Sequence, residues 1–184
     1  MKHSNTIIKT ALSLVCLSTA FGASAHISFS QSEAAVGSRF KGVLQVPHGC
    51  KGSPTIQVQV QIPSGVLNVK PQPKAGWTLK TVKSNYARPY TLWGKPVSDG
   101  VTEITWTGAL QNDHYDEFVF VSNLSADLDP GQTLYFPVIQ TCQEGLARWT
   151  GVQKQGHDHG HGHSHGADHS DGSAPALKLL PARQ

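Results

Sequence analysis

The stretch Ile56-Gln57-Val58-Gln59-Val60-Gln61-Ile62 alternates apolar and polar residues without a break. A period of two is satisfied by a strand with one buried and one wetted face, and by no helix. From His26 to Gln153 no run of helical period and useful length competes with it. Short segments rich in β-branched and aromatic residues predict strands over Ile27 to Phe29, Arg39 to Val46, Thr55 to Gln61, Val66 to Lys70, Thr78 to Lys83, Tyr90 to Gly94, Val101 to Thr107, Tyr115 to Val121 and Thr133 to Ile139. Pro47-His48-Gly49, Pro63-Ser64-Gly65, Ala75-Gly76, Ser98-Asp99-Gly100 and Asp129-Pro130-Gly131 separate them, each supplying the fixed or left-handed φ that a turn needs. Strands at this spacing imply an all-β, immunoglobulin-like Greek-key sandwich. A jelly roll or small barrel is the structural rival.

The first 25 residues stand apart. Lys2, His3 and Lys9 precede an apolar run from Ala11 to Phe21, and Ala23-Ser24-Ala25 has the small-x-small pattern of a signal-peptidase site. The expected cleavage after Ala25 gives an exported, periplasmic or otherwise secreted product that begins at His26. The run is too short to span a bilayer and no second one follows, so the mature chain is expected to be soluble. Val15 stands where a lipidation signal wants a small residue before Cys16. The formal charge falls from +3 to +1, because Lys2 and Lys9 leave and no acidic residue leaves with them. With 8% aromatic and 15% charged residues, this composition excludes a nucleic-acid binder and a wholly disordered chain.

Maturation also removes Cys16 and Met1, leaving Cys50 and Cys142. An even pair in an oxidising compartment reads as a structural disulfide. The rival, a thiolate metal site, lacks a second pair at zinc-ribbon spacing. A chain without methionine cannot carry Cu(I) on thioether sulfur.

The ten histidines divide unevenly. His157, His159, His161, His163, His165 and His169 alternate with Gly, Ser, Ala and Asp, in a segment with almost nothing to bury. The reading is a disordered His-rich tail over residues 154–184 whose imidazoles serve as flexible ligands for Zn(II), Ni(II) or Cu(II). His48 lies in a tight turn and His114 in an acidic loop, where local roles suffice. His26 differs, because cleavage would give it a free α-amine beside its ring Nδ1. Two nitrogens from one residue suit Cu(II), which heads the divalent affinity series and favours tetragonal N and O donors. The natural complement is a carboxylate. In Asp113-His114-Tyr115-Asp116-Glu117-Phe118-Val119-Phe120, Glu117 shares a strand face with Tyr115 and Val119, opposite Phe118 and Phe120.

Several segments carry a family likeness in order along the chain. They are Ala25-His26-Ile27, Val46-Pro47-His48-Gly49-Cys50 with Gly52-Ser53-Pro54-Thr55, Ile104-Thr105-Trp106-Thr107-Gly108, Asp116-Glu117-Phe118, and Tyr135-Phe136-Pro137-Val138-Ile139-Gln140-Thr141-Cys142. Together they resemble the YcnI-like periplasmic copper-binding domain family over a sandwich of residues 26–153. The resemblance implies an immunoglobulin-like sandwich that binds Cu(II) at its processed N-terminus through a single-histidine brace, with a carboxylate and a nearby tryptophan. His26 matches the brace histidine, Glu117 best matches the carboxylate, and Trp149 is the expected tryptophan, with Trp77, Trp93 and Trp106 as alternatives. A non-enzymatic protein that stores, buffers or delivers copper, to a copper transporter or cuproprotein, follows from that resemblance. A copper oxidase or monooxygenase, and a zinc or nickel buffer acting through the histidine-rich segment, are the rival readings.

Overall fold

The computed structural model describes residues 26–152 and 170–183. In chain order the strands are β1 (Ser28–Phe29), β2 (Glu33–Ala35), β3 (Arg39–Val46), β4 (Thr55–Gln61), β5 (Val66–Pro71), β6 (Thr78–Leu92), β7 (Lys95–Leu110), β8 (Asp116–Leu124), β9 (Thr133–Tyr135), β10 (Val138–Cys142), β11 (Leu146–Gly151), β12 (Ser170–Ser173) and β13 (Ala176–Leu180). They form a four-stranded sheet in the order β1-β3-β8-β5, a six-stranded sheet in the order β12-β11-β10-β4-β7-β6, and a small sheet in the order β2-β13-β9. Apart from the parallel pairs β11–β12 and β13–β2, every pairing is antiparallel.

Alternation decides which faces meet. On the four-stranded sheet Phe40, Leu44, Val46, Phe118 and Phe120 point inward, while Val43, Gln45, Glu117 and Val119 point outward. On the six-stranded sheet Val58, Val60, Ile104, Trp106, Val138, Ala147 and Trp149 face them across a shared core. Phe29, Phe40, Phe120 and Phe136 pack in its centre, with Phe29 edge-on to Phe136 at 4.9 Å. Offset and edge-to-face contacts of this kind add stability beyond the area they bury. Gly42 on β3 makes room for them, since a Cβ there would lie 2.4 Å from the Phe120 ring.

The disulfide joins Cys50 to Cys142, tying the turn after β3 to the end of β10. A register shift near Thr55 turns that residue inward as well, beside Cys142, although strict alternation would have exposed it.

Four expectations are corrected by the fold. Residues 154–184 are not a tail throughout: β12 joins the six-stranded sheet beside β11, and β13 lies between β2 and β9 with Leu177 and Leu179 fully buried. The alternation in Ala176-Leu177-Lys178-Leu179 is itself a strand signal. The sandwich therefore does not end at Gln153, and the six histidines belong to a connection between neighbouring parallel strands. Those histidines, and the leader of residues 1–25, lie outside the described residues.

The expected strands Thr78 to Lys83 and Tyr90 to Gly94 merge, up to Leu92, into one long strand, β6, paired with β7 along most of its length. Ser98-Asp99-Gly100 is strand, and the reversal occurs at Trp93-Gly94, where φ is 51° and 73°. Thr133 to Ile139 divides at Phe136-Pro137, because proline cannot donate to a ladder. β9 accordingly pairs with β13, and β10 with β4.

Within the long hairpin, the Tyr86 hydroxyl is buried without a hydrogen-bond partner. Burial, then the charge of Asp99, pushes its phenol above the usual value. Tyr86→Phe should stabilise the fold by about 1 kcal/mol, since it removes a desolvated polar group and keeps the ring. A rise in thermal midpoint of a few degrees is the expected readout.

Candidate metal centre

His26 is held at the end of the sandwich by the residues that follow it. Ile27 and Phe29 are inserted in the core, and the Ser30 N–H donates to the Val43 carbonyl at 3.0 Å. This short segment cannot shift without withdrawing Phe29 from its aromatic cluster. His26 itself is exposed. Its imidazole meets the Trp149 ring edge-on, with centroids 5.4 Å apart and planes at 75°.

Trp149 is fixed from behind. It is buried on β11, and its indole Nε1–H donates to Gln140 Oε1 at 3.2 Å. Gln140 is buried too, and its Nε2 donates to the His48 carbonyl at 2.7 Å and to Thr55 Oγ1 at 2.8 Å. Indole, amide, hydroxyl and turn carbonyl therefore form one satisfied buried network, which removes the ring's freedom to reorient. On the side of β12, Gly172 lets the indole lie flat, because a Cβ there would come within 2.3 Å of it. Sequence reasoning did not find Gln140, Thr55 or Gly172. The first two stand in the motifs Gln140-Thr141-Cys142 and Ser53-Pro54-Thr55, whose polar residues were the available signal.

Glu117 occupies a different cluster at the same end. Ser28 on β1 is opposite Gln45 on β3, and Gln45 is opposite Glu117 on β8. The carboxylate is thus two strands from Ser28, about 10 Å at ordinary strand spacing. It faces outward and accepts hydrogen bonds from the Tyr115 hydroxyl and from Gln45 Nε2, the latter at 3.4 Å. Gln45 also donates to the Tyr115 oxygen at 2.9 Å. Desolvation, then the Glu117 carboxylate as acceptor, raises the Tyr115 phenol above its usual value. Beside them Lys74 pairs with Asp116 at 2.6 Å and lies over the Phe118 ring.

The structure thus brings His26 and Trp149 into contact and leaves Glu117 in the neighbouring Tyr115–Gln45 cluster. Trp106 is buried in the core, donating from Nε1 to the Gln72 carbonyl, and Trp77 packs on Phe118 over Gly108. Trp93 lies at the distant hairpin tip. The His48 ring is turned on the Gly49 carbonyl, and His114 lies near Asp113 at 3.9 Å on the surface. Among the described residues no three His, Cys, Asp or Glu side chains gather as a metal site.

The domain is a disulfide-closed β-sandwich in which the exposed His26 imidazole meets a buried, hydrogen-bonded tryptophan. The chain belongs to the family described as "Domain of unknown function (DUF1775)", matched over residues 26–179, a span that begins at His26 and reaches into β13. This is the YcnI-like family that the motifs resemble. The chain is 26% identical over 141 residues to "Copper-binding protein CutI" of Bacillus subtilis (strain 168), covering 74% of this chain and 61% of that protein's length. A solved structure from Nocardia farcinica, of an uncharacterized protein described as having an immunoglobulin-like fold, superposes with a TM-score of 0.57 at 21% identity, covering 85% of this chain and 99% of that one. That likeness establishes the immunoglobulin-like fold. No helix among the described residues is long and apolar enough to cross a membrane.

Proposed function

We propose that this protein is exported, is cleaved after Ala25 and binds Cu(II) at its new N-terminus, as a carrier or buffer serving a copper transporter or cuproprotein. The observation that carries the reading is the exposed His26 imidazole held 5.4 Å from a tryptophan that is itself locked by Gln140. Similarity to a protein named for copper binding supports it. The donor chemistry fits. A brace draws its α-amine and ring nitrogen from one residue, so it requires no cluster of three side chains.

The α-amine, with a usual pKa near 8, is deprotonated by a strong Lewis acid at neutral pH. The ring of Trp149 lies close enough to stabilise added positive charge through its π face. Glu117 is the proposed carboxylate, since it stands at the same end of the four-stranded sheet. Its use as a ligand requires exchange of the hydrogen bond from Tyr115. The histidines of residues 157–169 are proposed as a second, less selective store for Cu(II), Zn(II) or Ni(II).

The test uses mature protein beginning at His26 with the six histidines from His157 to His169 replaced by serine. Titration with Cu(II) should give one tight site, nitrogen couplings in the paramagnetic resonance spectrum and quenching of Trp149 fluorescence. Absence of a tight 1:1 site overturns the reading. Glu117→Gln should weaken that site by roughly ten- to a hundredfold, the scale for loss of a supporting metal contact. Unchanged affinity would remove Glu117 from the ligand set and leave the His26 site standing.

A further inference from the structure

The long hairpin ends in a residue that turn chemistry disfavours. Leu92 pairs with Lys95, so Trp93 and Gly94 form a two-residue reversal with both φ values positive. Such type I′ turns strongly prefer Asn-Gly or Gly-Gly, since a bulky side chain at positive φ is strained. Trp93 is nevertheless 76% exposed. Neither backbone preference nor core packing accounts for an indole there, and strain of this kind concentrates at binding sites.

The surroundings are those of a polar site. Trp93 borders a cavity of about 190 Å³ lined also by Arg39, Asn68, Lys70, Val121, Ser122 and Asn123, on the outer face of the four-stranded sheet. A second cavity of about 370 Å³ shares Asn68 and Lys70 and adds Lys83 and Asp99 from the hairpin. Volumes on this scale suit a small ligand. Register sets the cations out in order. Lys41 and Lys70 flank Val121 from either side, and Arg39 lies opposite Asn123.

None of the ion pairs among the described residues engages Arg39, Lys41, Lys70 or Lys83. Asn68, at φ 50° beside the β5 irregularity, donates from Nδ2 to Asn123 Oδ1 at 3.2 Å. That bond leaves the Asn68 oxygen and the Asn123 amide hydrogens available. Asp99 is the one acid lining either cavity.

We propose that the cleft between Trp93 and the outer face of β3, β8 and β5 binds an anionic sugar, a pyranose ring carrying a carboxylate or a phosphate. The indole covers the apolar C–H face of the ring, as an exposed aromatic with no packing role can. Asn68 and Asn123 address hydroxyl groups, and Arg39 and Lys70 take the acid, Arg39 offering the fork geometry that matches it. This site is at the hairpin tip, separate from His26 and independent of copper.

The full mature chain is titrated with glucuronate, glucose 6-phosphate, neutral glucose and inorganic phosphate, following the side-chain amide resonances of Asn68 and Asn123. Saturable shifts are expected with at least one of the two anionic sugars, and their relative affinities identify the preferred acid. Glucose and inorganic phosphate should each bind at least tenfold more weakly than the better of these. Trp93→Asn installs the preferred turn sequence, so it should keep or raise the thermal midpoint while weakening binding at least tenfold. Lys70→Ala should weaken binding similarly. Neither variant should alter Cu(II) uptake at His26. Absence of saturable shifts with both anionic sugars, equal binding of glucose or of phosphate alone, or wild-type affinity in Trp93→Asn would overturn the proposal.

Discussion

Placing one alanine ahead of His26 in the mature chain should lower its Cu(II) affinity by more than about a hundredfold, since a lost ligand costs more than a lost supporting contact. The extension converts the α-amine into an amide and leaves the imidazole where it was. A histidine that bound metal through its ring alone would hardly notice the change. Ile27 and Phe29 stay in the core in either form, so stability should be unaffected and any loss of affinity can be assigned to the amine. The control is His26→Ala at the same N-terminus, which should remove both the site and the quenching of Trp149. Wild-type affinity in the extended protein would exclude the brace and leave a ring-only site.

Replacing Cys50 and Cys142 together by serine should cost about 4 kcal/mol of stability, the chain-entropy value for a closed loop on the order of 90 residues. In a domain of this size that corresponds to a fall in thermal midpoint of about 10 °C or more. The loss should reach the candidate metal centre. The bridge secures the turn whose His48 carbonyl accepts from Gln140, and Gln140 accepts from the Trp149 indole. Chemical denaturation gives the stability change, and a broadened Trp149 environment in fluorescence gives its reach. A variant as stable as the parent would mean that the bridge constrains nothing the sheets do not already hold.

How far the sequence could be read depended on whether a signal was local. Arg39–Val46 and Thr55–Gln61 alternate within themselves, so their strands were legible to the residue. Phe118 and Phe120 shared a face with no way to say which face was buried, because Val119 and Tyr115 made the other one apolar as well. Only the placement of β8 between β3 and β5, in a sheet with one face packed on the core, settled that. Leu146–Gly151 and Ala176–Leu180 were missed as strands. The first needs its partner β10, and the second follows a glycine- and histidine-rich run that dominates local composition.

At the candidate site, His26 was singled out by an expected processing signal and Trp149 by family likeness, but their contact depends on segments that belong to opposite sheets. The Gln140 network was not legible at all. A buried amide is recognised by the partners the fold brings to it, and the residues that satisfy Gln140 come from a turn and two other strands.

The small sheet has a kinetic meaning. β2, just after the proposed metal site, pairs in parallel with β13, one of the last segments of the chain. Contacts between residues so far apart in sequence close slowly, because most of the chain must be brought together before the pairing is rewarded. β2 therefore lacks its neighbour until the residues of β13 have been made. The small sheet, one edge of which follows His26 by a few residues, cannot be completed until β13 has been made.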